Sequence, residues 1–445
     1  MVKRDTIFSI IIITIVAIIL FSLFLHKRPF TDEGSYCTIA QAISKGAILY
    51  REIFNEKAPL PYFIASVFIN VGENPLIILR LLSCMFFTIT LILLFLFMKV
   101  SLSKCLESLI LTIFFAISAP LFQSFNFTAE IIATPLILFI TWQIQKDENN
   151  RGNILAGFFS GLLFFIKQPF GVFVLIIIIF ASISKNIRKD FFVGVLFSLA
   201  LIILLFKITG VLEPFVENLL FVVKRYDVRS YIRPPYQHEY YQFIILLGLF
   251  LLACYGFLRR LISLYEILVV LSLALVGVIR MDAFKMLPFF ATSLYLVSKK
   301  KLLGAMQKLS LLLLILIFMS ISKYGDILIQ DFDAIKAVSY MIETKTTEKD
   351  SIWVAPHEAN IYCLSKRRSS SKYFFLLPWI KDSEVVSTLV DDITRRDPPL
   401  CIIDVSLFNK ATEHQLVDMI PEFKKIVSDY REIQEINGAV IYCKR

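Results

Sequence analysis

Long apolar runs dominate this chain before residue 325, and charged residues fall between the runs rather than within them. Many runs approach the roughly 20 residues that a helix needs to cross a bilayer core of about 30 Å. A soluble surface helix keeps a polar face, so a run that is apolar on every side is a membrane span or a deeply buried segment. In hydrocarbon each backbone N–H and C=O must be bonded inside the protein, and for runs of this length that means helices. Read from their interruptions, the spans fall near 7–25, 77–98, 106–122, 131–145, 153–166, 169–184, 191–208, 242–258, 262–279, 286–298 and 309–322, about eleven in all. Composition supports the same class: 57% of the 445 residues are hydrophobic and 18% charged, against about 45–50% and about 25% in soluble domains. Beyond residue 325 the polar fraction rises. The expected architecture is a polytopic α-helical membrane domain, 1–325, followed by a tail, 326–445, long enough to fold as a small domain.

The net charge of +10 would also suit a nucleic-acid binder, but its distribution decides otherwise. Basic residues recur at alternate loops: Lys3/Arg4, Lys99/Lys104, Lys146/Arg151, Lys185/Arg188/Lys189, Arg259/Arg260 and Lys299/Lys300/Lys301. That is the positive-inside pattern of cytoplasmic loops, whereas a nucleic-acid face gathers its cations on one domain. Ile7–Leu25 follows two basic residues as a signal peptide would, yet it exceeds a signal's apolar core and runs into "HKRPF" rather than a small-residue cleavage site. It reads as a retained first span. With the N-terminus cytoplasmic, an odd number of spans puts the tail outside a plasma or inner membrane. Segments 26–76, 123–130, 209–241 and 280–285 then face the exterior.

The first of these is longer than a connector requires. In it, "YCTIAQAISKGAIL" places Ile39, Ile43 and Ala47 at helical spacing, which suits a short helix lying in the interface. "LPYFIASVFINVG" (60–72) is too short to span and is expected along the surface, and the Tyr- and Arg-rich 226–241 reads as an aromatic belt. In the tail, "DFDAIKAVSYMIE", "SEVVSTLVDDITRR" and "EHQLVDMIPEFKKIV" read as helices, and "SIWVA", "KYFFLL" and "PLCIIDV" as strands. Asn437-Gly438 between two strand-like runs is a hairpin signal. The alternation implies a small α/β domain with a largely parallel sheet. It holds no glycine-rich phosphate loop, so a structural or acceptor-docking role is expected of it. Seven cysteines (37, 84, 105, 254, 363, 401, 443) show no metal-type spacing. Cys363, Cys401 and Cys443 permit a disulfide that the sequence does not pair. Four histidines (26, 238, 357, 414) are too dispersed for a metal centre by spacing. No metal site and no obligatory cofactor is expected; a divalent ion is compatible with the composition but not indicated by it.

The residues able to carry chemistry gather in the first external loop. "FTDEGSYCTIA" (30–40) sets Asp32 and Glu33 just beyond the first span. Such a pair is either solvated loop charge or an acid/base pair working against the lipid surface. Farther on, "YREIFNEKAPLPYF" (50–63) places Glu56 and Lys57 before Ala-Pro-Leu-Pro, whose prolines fix the backbone. One loop thus supplies a candidate base and a candidate anion-binding cation. Lys167, inside "FFIKQPF", is costly unless its head snorkels or meets an anion. Glu130, in "NFTAEIIATP", either complements a helix N-terminus or contacts an acceptor. Arg280, Asp282 and Lys285 form a charged break between apolar runs, readable as an anion site or as internal ion pairs.

The order "DEGSY…AILYREIFNEKAPLPYF" resembles the first external loop of polyprenyl-phosphate-sugar glycosyltransferases of the C superfamily (GT-C), of the protein O-mannosyltransferase and lipid A aminoarabinose transferase type (family 39-like). Members pair an early Asp-Glu with a later (E/H)-K-(P/A)-P-L-x-Y element. The similarity continues through "NPLIILRLLS" (74–83), Glu130 and "GLLFFIKQPFGVF" (161–173), and "DSIWVAPHEANIYCLSKRR" resembles the family's external C-terminal domain. The resemblance implies a GT-C-like membrane fold and an enzyme moving a sugar, with inversion, from a polyprenyl-phosphate-linked donor to an external hydroxyl of a protein, lipid or glycan. It assigns the base to Asp32, with Glu33 as alternative base or support. Donor-phosphate binding falls to Lys57, Lys167, Arg280 and Lys285, and acceptor or supporting roles to Glu56 and Glu130. Such a transfer needs a base for the hydroxyl and pre-placed cations for the departing phosphate. Two departures leave sugar and acceptor open: the family's His-Tyr element near residue 280 is missing, and Ser35 stands where aminoarabinose transferases have arginine. The rival class is a transporter or flippase of lipid-linked or small solutes. A transporter favours interrupted helices repeated in two halves and ionisable groups at mid-membrane; here no such repeat is visible and most candidate charges sit at the outer boundary.

Overall fold

The computed structural model describes residues 4–25, 31–146, 150–183, 188–225, 240–278, 283–298, 332–375, 383–406, 420 and 423–444. In chain order its helices are α1 (Arg4–Phe24), α2 (Thr31–Ser44), α3 (Leu60–Phe68), α4 (Pro75–Leu102), α5 (Cys105–Ser118), α6 (Ala129–Lys146), α7 (Asn150–Ile166), α8 (Gly171–Ile183), α9 (Arg188–Ile208), α10 (Leu212–Arg225), α11 (Tyr240–Leu258), α12 (Leu264–Val278), α13 (Leu287–Ser298), α14 (Phe332–Lys345), α15 (Ala359–Ser365), α16 (Ser383–Asp391) and α17 (Phe423–Val427). The strands are β1 (Ser351–Ala355), β2 (Arg368–Ser369), β3 (Cys401–Asp404), β4 (Tyr430–Ile436) and β5 (Ala439–Lys444).

Each expected span from 7–25 to 286–298 falls on a described helix; the one expected at 309–322 lies outside the described residues. Prolines set where several runs leave the α-helix. The run 106–122 divides into α5 and a 3-10 turn, Ala119–Phe122, that holds Pro120. The run 169–184 opens with the 3-10 turn Gln168–Phe170 around Pro169 before α8. Proline lacks the N–H that an α-helical interior needs. By length and composition, α1, α4 and α9 are the helices among the described residues that suffice to cross a membrane. The other apolar helices, of 10–17 residues, reach only about 15–25 Å at 1.5 Å per residue.

Two compact units divide the chain. The first comprises 1–27, 80–204 and 232–327. Its outward faces are greasy: Ile7, Phe8, Ile11, Ile15 and Ile18 on α1, and Val193, Leu196 and Phe197 on α9, are all exposed. Contiguous apolar surface of this kind suits lipid, not water. Inside, α7 and α9 touch through glycines. A side chain at Gly157 or Gly161 would strike Phe191 or Ser198, and one at Gly194 would strike Ile154. Small residues four apart let membrane helices approach closely where no hydrophobic force drives them together. Arg80 is almost fully buried and donates to the carbonyls of Phe24 and Leu25 at 2.8 and 2.6 Å. It thereby satisfies orphan carbonyls at the C-terminal end of α1.

The second unit gathers 28–79 and 205–231 with 328–445. Its sheet runs β2-β1-β3-β5-β4. In the tail α14, β1, α16, β3 and the β4–β5 hairpin fall where expected, α15 and β2 were not expected, and most of "EHQLVDMIPEFKKIV" lies outside the described residues. The sheet is mixed rather than largely parallel, since β1 pairs parallel with β2 and β3, while β3–β5 and β5–β4 are antiparallel. The hairpin causes this. Asn437 and Gly438 both adopt positive φ, 50° and 87°, the conformation of a two-residue turn that matches strand twist, so β5 folds back between β4 and β3. "KYFFLL" is not a strand over its described residues 372–375. The Tyr373 amide is taken by the Ser371 hydroxyl, and the Lys372 carbonyl by the Phe54 amide at 2.8 Å, so this backbone is spent outside the ladder. The pattern of α2, expected against an interface, is covered by protein. Tyr36, Cys37, Ile39 and Ala40 are buried, and the helix packs on α15 and α3. Phe54, from the same upstream loop, sits in the tail's hydrophobic core with Trp353, Tyr373, Val385, Leu389 and Ile402, a burial that contributes about 1.5–3 kcal/mol.

Two disulfides secure this unit, Cys37–Cys363 and Cys401–Cys443; Cys84, Cys105 and Cys254 are free. The first fixes α2 to α15. Non-reducing peptide mapping is expected to recover both bonds and to find the other three cysteines alkylatable after unfolding. Cys37→Ser is expected to lower the stability of the unit by about 2–4 kcal/mol, seen as an earlier thermal transition in detergent; recovery of Cys37 as a free thiol in wild-type protein would refute the pairing.

Candidate active site

The first turn of α2 carries Asp32 and Glu33, where carboxylates complement the positive end of the helix dipole. Glu33 is fully buried. Asp32 is partly open, and its Oδ1 lies 2.6 Å from Lys57 Nζ. Lys57 is held in place by its own backbone: its amide donates to Asn55 Oδ1 at 2.9 Å, and its carbonyl accepts from the Tyr50 hydroxyl at 2.7 Å. Pro59 then caps α3 and Pro61 occupies its first turn, ending the irregular segment just after the lysine. From the other side α10 steadies the loop, with Asn218 donating to the Asn55 carbonyl at 3.1 Å and Phe221 edge-on to Phe54.

Aromatic rings enclose the pair. Lys57 Nζ lies 5.2 Å from the centroid of Tyr36, whose ring is 5.0 Å from that of Tyr62. Tyr62 is fully buried, and its hydroxyl has no hydrogen-bond partner among the described residues. Burial, followed by the nearby Tyr36, Glu56, Tyr50 and Asp32, holds that phenol well above its ordinary pKa. It stays protonated, a donor beside two carboxylates. Glu56 is half-buried and acts on both Tyr50 and Tyr62.

The tail contributes a group that spacing did not reveal. His357, in the turn between β1 and α15, feels the charges of both Asp32 and Lys57 and packs edge-on against Phe375 at 5.3 Å. Burial pushes its imidazole down to about 4, Asp32 opposing this and Lys57 adding to it. The ring is therefore neutral near pH 7. Its spacing from the other histidines carries no sign of this; the available signal was its place in "VAPHEAN", within the stretch that resembles an external domain.

What delivers His357 is the contact of α2 with α15. Cys37 is bonded to Cys363, the Thr38 hydroxyl donates to the Ala359 carbonyl at 3.0 Å, and Gln41 Nε2 to the Cys363 carbonyl at 3.2 Å. At Gly34 a β-carbon would collide with Asn360, so glycine is required by the closeness of the two helices. The face 34, 37, 38, 41 has helical spacing but is small and polar, hence invisible to a search for apolar periodicity.

In the other unit, Glu130 stands in the first turn of α6 and is nearly fully buried. Its carboxylate contacts the Lys167 ammonium directly. Lys167 has extended backbone between α7 and the 3-10 turn at Pro169. Lys285, 6% exposed on the turn Ala283–Met286, is near enough for its charge to act on Glu130. Two of the expected phosphate-binding cations thus converge on one carboxylate; Arg280 lies outside the described residues, as do His26, His238 and His414. No group of three potential metal ligands occurs among the described residues.

Residues 56–211 match the family model described as dolichyl-phosphate-mannose-protein mannosyltransferase. No curated protein matches the chain. Among solved structures it is similar to ArnT from Cupriavidus metallidurans, both bound to undecaprenyl phosphate and in the apo state, at 10% identity and TM-score 0.50 over 97% of each chain. The Archaeoglobus fulgidus oligosaccharyltransferase matches at 10% identity and TM-score 0.47 over 98% of this chain and 73% of that one.

Gly34→Val is expected to separate α2 from α15, read as a loss of Cys37–Cys363 pairing and faster proteolysis of the tail; unchanged pairing would show that the contact tolerates a side chain. The His357 imidazole, held near 4 in the fold against an ordinary 6.5, lets the unfolded chain take up a proton first as pH falls. Stability is accordingly full above pH 6.5 and declines between 6.5 and 4. His357→Gln is expected to flatten that decline by roughly 1–3 kcal/mol at its acid end, measured as thermal midpoint against pH.

Proposed function

We propose that this membrane glycosyltransferase, of the GT-C and protein-mannosyltransferase-like kind, draws its sugar from a polyprenyl-phosphate-linked donor and places it on an extracytoplasmic hydroxyl of a protein, lipid or glycan. The observation that carries the reading is the 2.6 Å contact between Asp32 and Lys57, partly open and flanked by Tyr36. That contact joins the two charges the reaction requires, a carboxylate for the acceptor proton and a cation for the leaving phosphate.

In the proposed reaction the donor phosphate draws Lys57 to itself and leaves Asp32 to meet the acceptor hydroxyl. The acceptor oxygen forms its bond to the anomeric carbon as the bond from that carbon to the phosphate oxygen breaks. The hydroxyl proton passes to Asp32, and the polyprenyl phosphate leaves with the bonding pair beside Lys57. A single displacement of this kind inverts the sugar carbon. Glu33, buried behind Asp32, supports the base, while Lys167 and Lys285 stand as further phosphate-binding candidates. Arg280 keeps the role the family resemblance gives it, and Glu56 and Glu130 those of support. No step requires a metal or other cofactor. Two disulfides in the loop-and-tail unit suit an oxidising compartment, which supports a cytoplasmic N-terminus and an external tail.

Purified protein incubated with a panel of labelled polyprenyl-phosphate sugars and candidate acceptors tests this. Wild type is expected to transfer from at least one donor, and Asp32→Asn to cut turnover by at least about 100-fold while donor binding persists. Undiminished turnover in Asp32→Asn would remove Asp32 from the role of base. Saturable solute uptake into vesicles with no transfer product would replace the enzyme with a transporter.

A further inference from the structure

The geometry points to a second binding site, a cationic cleft between α2 and segment 366–371 that seats the anionic group of an acidic saccharide. It rests on the transfer reading only in casting that saccharide as the acceptor. The cleft has a volume of about 330 Å³, at the lower end of the range of small-ligand pockets. Lys45, Lys366, Arg367 and Arg368 line it against a single carboxylate, Glu52. Arg368 is spoken for by Asp397. Arg367, buried at 8% exposure, is held as well: it donates to the Thr346 hydroxyl and the carbonyls of Ser365, Thr346 and Glu343. Those acceptors are all neutral. Asp350, an exposed carboxylate bonded to Thr347, feels the Arg367 charge without an ion pair. The carbonyls that Arg367 meets lie at the C-terminal ends of α14 and α15, which offset its charge, so the cations left to meet an oxyanion in the cleft are Lys45 and Lys366. Lys45, whose ammonium lies 3.4 Å from the Lys366 carbonyl, adds an exposed charge there.

The remaining lining suits a sugar. Thr38 and Gln41 donate to main-chain carbonyls, so their oxygens remain able to accept from sugar hydroxyls. Ala42, Ala47 and Ile53 supply apolar wall for a ring face. The helix links this cleft to the reacting carboxylate. From Thr38 to Lys45 the lining residues lie about 9–20 Å along α2 from Asp32, at 1.5 Å per residue. To bring a hydroxyl to Asp32, a saccharide anchored by its charge at Lys45 extends about 20 Å, a run of several sugar rings.

Titration of the full-length protein in detergent with glucose 6-phosphate, inorganic pyrophosphate and glucose tests the site without any transfer reaction. Glucose 6-phosphate is expected to bind best, pyrophosphate more weakly and glucose not at all. Lys45→Gln with Lys366→Gln is expected to weaken glucose 6-phosphate by about tenfold or more, since charge-assisted hydrogen bonds are lost, with the thermal midpoint of the free protein unchanged. Equal affinity in wild type and double variant, or no binding of any probe, would overturn the site. Pyrophosphate binding as tightly as glucose 6-phosphate would overturn the saccharide and leave a plain oxyanion site. None of these outcomes depends on transfer activity, and failure of the donor panel leaves them readable.

Discussion

Two helices far apart in sequence, α2 and α15, lie so close that one position between them admits only glycine. That approach organises the loop-and-tail unit. It buries the face of α2 that would otherwise lie against solvent or lipid, and it brings His357 within electrostatic reach of the Asp32–Lys57 pair. The contact is made by a disulfide, two side-chain hydrogen bonds to carbonyls and the missing β-carbon rather than by an apolar stripe. Directional bonds set a register, whereas a greasy contact of the same size would allow sliding. That register fixes where the carboxylates in the first turn of α2 stand.

The two charged groupings pose different electrostatic problems. Asp32 and Lys57 are both partly open, so water offsets much of their charge and their partnership is readily exchanged. Glu130 and Lys167 are far more buried, where separating a pair typically costs about 3–5 kcal/mol because a lone charge is left without solvent. The proximity of Lys285 tilts that second group toward positive charge. The first arrangement exchanges partners readily, while the second is costly to separate.

Much of this was legible in the sequence, for identifiable reasons. Spans could be read because a bilayer imposes length and apolarity on each segment. The turn at Asn437-Gly438 could be read because few residue pairs tolerate positive φ twice. That one loop holds both Asp32 and Lys57 was legible from an order of motifs, whereas their 2.6 Å contact was not. The mixed sheet was missed, since local pattern marks strands but not the direction of their neighbours. The expected strand at "KYFFLL" failed because its backbone is bonded to Phe54 and Ser371, groups that no local reading can supply.

By itself the sequence determined a helical membrane chain with an α/β tail and a first loop carrying Asp32, Glu33, Glu56 and Lys57, because hydropathy, charge placement and turn chemistry act over a few residues at a time. Tertiary structure alone decided that the loop folds into the tail, with Phe54 in its core and Cys37 bonded to Cys363. It likewise decided that His357 joins the site and that Lys45 shares a cleft with Lys366. These are meetings of residues some three hundred positions apart. They are fixed by close packing and directional bonds between small polar surfaces, which leave no periodic trace along the chain.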